Sequence, residues 1–151
     1  MNSNTVQYNA APVPKTKVVN FIGTTTLRDG QALCYQELAA NAVKGLGTDV
    51  EVPNSDNIGF FAGFVDAKSA GVTGPCLVTI IVPERGDVLE VEVDGTTDVS
   101  VADKLTLQST SGLEGFAKDA SPAYTDHPLL TALAARSANS LGKTKVFVDQ
   151  A

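Results

Sequence analysis

The chain has no tryptophan, one histidine, one methionine and two cysteines in 151 residues. Each scarcity removes a class of function. Without tryptophan, and with aromatics at only 6%, the flat platforms on which sugars stack are in short supply. Cys34 and Cys76 make neither a dense disulfide framework nor a CxxC pair, so they read as buried thiols rather than as a staple or a zinc site. Any Ser-His-Asp or Cys-His mechanism must pass through His127, which lies in the turn sequence TDHP, and no GxSxG elbow accompanies it. Gly45 and Gly47 form no GxGxxG or phosphate loop, which leaves nucleotide binding without support. No catalytic residue, metal ligand or cofactor is assigned, and the chain is not expected to be an enzyme.

Basic runs are missing too. Lysine and arginine never cluster, the net charge is −6 and the isoelectric point is near 4.6, the opposite of what a phosphate-neutralising nucleic-acid binder needs. No apolar stretch approaches a bilayer span, and the first residues carry neither a basic nor an apolar signal region. Neither a membrane nor a nucleic acid is therefore an expected partner, and the protein is expected to be made in the cytoplasm.

What is present is ordinary globular composition, 43% hydrophobic, enough for one domain with a real core. Residues 1–17 stand apart: Pro12 and Pro14 block helix and central strand, and Lys15 and Lys17 are the only charges. They read as an extended N-terminal arm carrying +2, leaving −8 on a body over 18–151.

The body repeats itself. A shift of 68 lays Ala67–Ile80 on Ala135–Val148 without a gap, with identities at Ala67/Ala135, Ser69/Ser137, Ala70/Ala138, Gly74/Gly142 and Val78/Val146. Both segments run from small residues through a glycine loop into alternating β-branched residues, which is a hairpin used twice. Val78, Ile80 and Val82 in one copy, and Val146 and Val148 in the other, share a strand face. In DVLEVEVDG, Leu89, Val91 and Val93 face one way and Glu90, Glu92 and Asp94 the other, as on a half-buried antiparallel strand with a wet acidic face. The segment 30–47 is expected to begin as a strand and continue irregularly. In 129–138, Asp126 and Pro128 favour a helix start, but alignment with the first hairpin favours a strand, which is preferred. The chain thus reads as mostly β.

The acidic face has the composition of a Ca²⁺ site, yet lacks an EF-hand pattern and reads as solvated surface. Arg85-Gly86-Asp87 reads as turn chemistry before a strand.

The phrases NIGFFAGFVDAKSAG, GDVLEVEVDGTTDVSVADKLTLQ and ALAARSANSLGKTKVFV, together covering roughly residues 50–149, resemble the recurring pattern of tailed-bacteriophage capsid decoration (cement) proteins. One departure is Ala102-Asp103, where that family often has Gly-Asp. The resemblance implies a small antiparallel β-barrel or β-tulip-like body with an extended arm. It also implies attachment to the major capsid protein on the outer surface of the head, as a homotrimer that stabilises the lattice. Val6, Tyr8, Val13, Lys15 and Lys17 would then form a capsid-binding arm able to add a strand to a sheet edge. The apolar run with Ile58, Phe60, Phe61 and Phe64 would supply the oligomer interface. Two alternatives stay open: another β-rich virion component, such as a head-tail connector or tail protein, and a small ligand-binding β module.

Overall fold

The structure is a computed structural model that describes residues 15–36, 48–96, 98–109, 112, 117–119, 128–137 and 142–151. The described residues form ten strands: β1 Thr16–Phe21, β2 Ala32–Tyr35, β3 Asp49–Glu51, β4 Phe61–Val65, β5 Cys76–Ile81, β6 Val88–Val93, β7 Lys104–Leu107, β8 Ala117–Asp119, β9 Leu129–Ala132 and β10 Gly142–Gln150. The protein is mostly β, and both 30–47 and 129–138 open on a strand as expected. One 3-10 turn, Ala67–Ser69, is capped by the Asp66 carboxylate, which accepts from the Lys68 N–H.

Two closed five-stranded barrels result, not one. The first runs β1-β3-β2-β4-β5 and the second β6-β8-β7-β9-β10, each closing on itself so that the strand edges are paired. Each contains one parallel pair, β1 with β3 and β6 with β8, so the barrels are not wholly antiparallel.

The second barrel repeats the first register for register. Val19↔Val78 corresponds to Val91↔Thr144, Leu33↔Gly63 to Leu105↔Leu130, Tyr35↔Val50 to Leu107↔Ala117 and Phe64↔Ile81 to Thr131↔Phe147. The offset is 72 for β1 and β2, 67 for β3 and β4, and 66 for β5. The ungapped shift of 68 is therefore two residues out on β5: Ile80 corresponds to Val146, and Val78 to the buried Thr144. An even slip leaves every side chain on the same strand face, which is why the apolar pattern survived the misalignment.

Even the turns before β2 and β7 match. In Arg28–Gln31 the Gln31 side chain accepts from the Arg28 N–H at 3.0 Å, and in Ser100–Asp103 the Asp103 carboxylate accepts from the Ser100 N–H at 2.7 Å. The third residue of each turn has positive φ, Gly30 at 81° and Ala102 at 77°. Each donates its N–H to a carbonyl on the fourth strand of its own barrel, Gly30 to Val65 on β4 and Ala102 to Ala132 on β9.

Val19, Phe21, Leu27, Leu33, Val50, Val65, Val78 and Ile80 fill the first barrel. Each such side chain is worth about 1.5–3 kcal/mol when fully buried. A second cluster fills the other barrel with Val91, Val93, Leu105, Leu130, Val146 and Val148, and takes in Ala32, Cys34 and Phe64 from the outer faces of β2 and β4. These two strands are thus buried on both sides, and the body expected over 18–151 is two barrels joined through a common core.

The joint alters the acidic strand. Glu90 is exposed, but Glu92 and Asp94 are only 3% and 4% exposed, which corrects the reading of a uniformly wet face. Arg28 from the first barrel reaches Glu92 Oε1 through Nε at 3.0 Å and a terminal nitrogen at 2.6 Å. Asp94 accepts from the Thr96 N–H and hydroxyl, both at 3.0 Å, and from Gln108 at 3.2 Å. Strand alternation predicts which way a side chain points, not what later covers it.

Candidate interaction surface

The root of the arm belongs to the first barrel. The Lys15 carbonyl accepts from the Val82 N–H at 2.8 Å, extending the β1–β5 pairing, and its Nζ lies 3.8 Å from Glu84. Lys17 sits within β1, where Nζ donates to the Tyr35 hydroxyl at 3.1 Å and stands 5.2 Å from the ring centre. The two charges assigned to the arm are therefore held by the body, and residues 1–14 contain no charged side chain. Val6, Tyr8 and Val13 lie outside the described residues.

The apolar run splits. Phe64 is 2% exposed inside the core that joins the barrels, so it is not available to a second chain. Phe61 packs edge to face on Phe64, 5.1 Å between ring centres, and Ile58 lies partly buried on the same cluster. Only Phe60, 40% exposed, projects from the run. An apolar run reads as an interface only until the chain's own second barrel is known to cover it. The loop before it is locked from within: buried Asn57 donates to Glu51 at 3.0 Å and accepts from the Asn54 N–H at 2.7 Å.

The chemically reactive candidates are placed as follows. Cys34 is fully buried, and burial, reinforced by the Glu51 charge, pushes its thiol up to about 12, which removes the thiolate a nucleophile requires. His127 lies outside the described residues. No three His, Cys, Asp or Glu side chains among the described residues stand where they could hold a metal ion. In Arg85-Gly86-Asp87 the aspartate is turned inward to accept from the Glu84 N–H at 2.8 Å, closing the turn into β6. A cavity of about 270 Å³ is lined by Asp98, Val99, Ser100, Ala135, Arg136 and Ser137, beside the bridge of Val99 to Arg136.

No family model and no curated protein matches the chain. The surface must therefore be read from its own chemistry. Sequence reasoning missed the most exposed large apolar residues among those described: Leu77 at 71%, Val18 and Val101 at 62%, and Val88 at 53%. Val18 and Leu77 occupy the outward face of the β1–β5 ribbon, with Asn20 paired to Leu77 and Thr79 paired to Val18. The signal was present, because both break the alternation as apolar residues out of phase with Val19, Phe21, Val78 and Ile80.

Proposed function

We propose that the protein is a virion structural component, a capsid decoration (cement) protein that binds the outer surface of a phage head and stabilises it. The observation that carries the reading is a body of two closed barrels, with its Cys34 thiol buried and held protonated, and an uncharged, proline-containing segment that leads into the first barrel at Lys15. Closed barrels offer little edge for strand addition, so the segment supplies the attachment: Val6, Tyr8 and Val13 would lie along an edge of the major capsid protein, backbone to backbone. Attachment only to the assembled lattice then stabilises the lattice by linkage. A second reading, a ring-forming connector or tail component, draws on the barrel duplication.

The test uses heads stripped of the protein. Added back, the full chain should saturate the heads and raise the temperature at which they break, whereas a chain lacking residues 2–14 should remain folded and fail to bind. Full occupancy by the truncated chain would discard the arm's role. Failure of the intact chain to bind any expanded head would discard the decoration reading.

A further inference from the structure

The seam between the barrels contains a contact whose counterparts, one step along the duplication, each carry an exposed apolar residue, Val101 and Leu77, beside a half-buried Asn20 that donates to Asp49 at 3.1 Å. Within the chain, the turn before β2 lies on the outer face of β6 and β10: Arg28 pairs with Glu92, Asp29 pairs with Lys143, and the Gly30 carbonyl accepts from the Glu92 N–H at 3.1 Å. The register equivalents of Arg28 and Asp29 are Ser100 and Val101 on the turn before β7, and those of Glu92 and Lys143 are Asn20 and Leu77 on β1 and β5. The charged pair Asp29–Lys143 thus becomes Val101 and Leu77, and the charged pair Arg28–Glu92 becomes Ser100 and Asn20. Charge has been lost at the equivalent positions on both sides of the contact together, and the apolar members are among the most exposed large apolar residues of those described.

We infer that these two faces meet between copies: the Ser100–Ala102 turn of one chain docks on the Val18, Asn20 and Leu77 face of the next. The partner is a second copy of this chain, because the contact continues the geometry of the existing seam with members matched in chemistry. Such a contact joins unlike surfaces, so it propagates head to tail and closes into a ring if the rotation allows.

Two differences make it weaker than the seam within the chain. A Cβ at Gly30 would sit 3.0 Å from the Glu90 carbonyl oxygen and the Glu92 nitrogen, and Ala102 carries that Cβ, so the second contact rests on side chains without the backbone approach. The buried outer-face residues Ala32, Cys34 and Phe64 have Lys104, Thr106 and Thr131 as counterparts, and Lys104 is tied to Asp149 at 3.1 Å, so that part of the seam is not copied. The inference stands on the duplication and does not need the capsid reading.

The test is solution mass against concentration for the full chain, by sedimentation, up to about 1 mM, where even weak self-association shows in the mass. The wild type should rise above one chain. Leu77→Lys and Val101→Asp, each at an exposed site with the melting temperature checked, should hold the mass at one chain. The double variant Leu77→Lys with Val101→Asp, which writes the Asp29–Lys143 pair into the contact, should restore association and make it salt-sensitive. A wild type that stays at one chain, single variants that associate like the wild type, or a double variant that stays at one chain would each overturn the inference.

Discussion

At the scale of single residues, Ala102 is the clearest departure from backbone preference among the described residues. It holds φ 77° in the left-handed region, where its counterpart Gly30 has no Cβ to strain. Ala102→Gly should stabilise the protein by about 0.5–1 kcal/mol, the left-handed penalty of about 1–2 kcal/mol less the entropy that glycine adds to the unfolded chain. Urea unfolding checks it, and an unchanged or lowered midpoint would contradict it. Cys34 sets a pH limit. Its folded thiol keeps its proton up to about 12 against 9.0 for the ordinary group, so the native state binds that proton more tightly. The resulting stability is fully present below pH 9 and is lost as the pH rises toward 12. Between those values the wild type should lose stability more steeply than Cys34→Val, and parallel slopes would refute the assignment. In the native protein the partly exposed Cys76 should react with a thiol reagent first, and Cys34 only on unfolding.

At the scale of elements, the turn Arg28–Gln31 and strand β6 decide how the barrels join. Gly30→Ala should cost about 1–3 kcal/mol, because it adds left-handed strain and drives a Cβ against the β6 backbone. Arg28→Met leaves Glu92 buried without its partner. The Arg28 side chain is 48% exposed, so the loss should be about 1–3 kcal/mol, below the range for fully buried pairs. A double-mutant cycle with Glu92→Met should return a coupling of the same sign, and none at all would mean that the pair only decorates the seam. Much of this scale was legible in advance. The alternation in 88–93 placed Leu89, Val91 and Val93 inside, and the twofold hairpin was visible as β4–β5 and β9–β10. The turn matching 28–31 with 100–103 was not, because it rests on backbone φ and on caps of different identity, Gln31 and Asp103, that share geometry and not sequence.

At the scale of the whole molecule, one cluster of buried side chains runs from the outer faces of β2 and β4 into the second barrel. Unfolding in urea should therefore be a single cooperative transition by both fluorescence of tyrosine and far-ultraviolet dichroism. Two separated transitions would show that the barrels fold independently. Removing residues 2–14 spares every described strand and should leave the midpoint unchanged, whereas cutting two residues further would delete Lys15, whose carbonyl pairs with Val82, and the first residue of β1. The amino-acid order alone determined the β character, the inward faces of the strands and the existence of a repeat, since alternation and β-branching act between near neighbours. Tertiary structure alone decided the rest: that the repeat is a whole barrel, that Phe64 and Glu92 are covered, and that Val18 and Leu77 are not. Burial depends on which distant surface arrives, and an outward side chain carries no local sign of whether a second barrel or water will meet it.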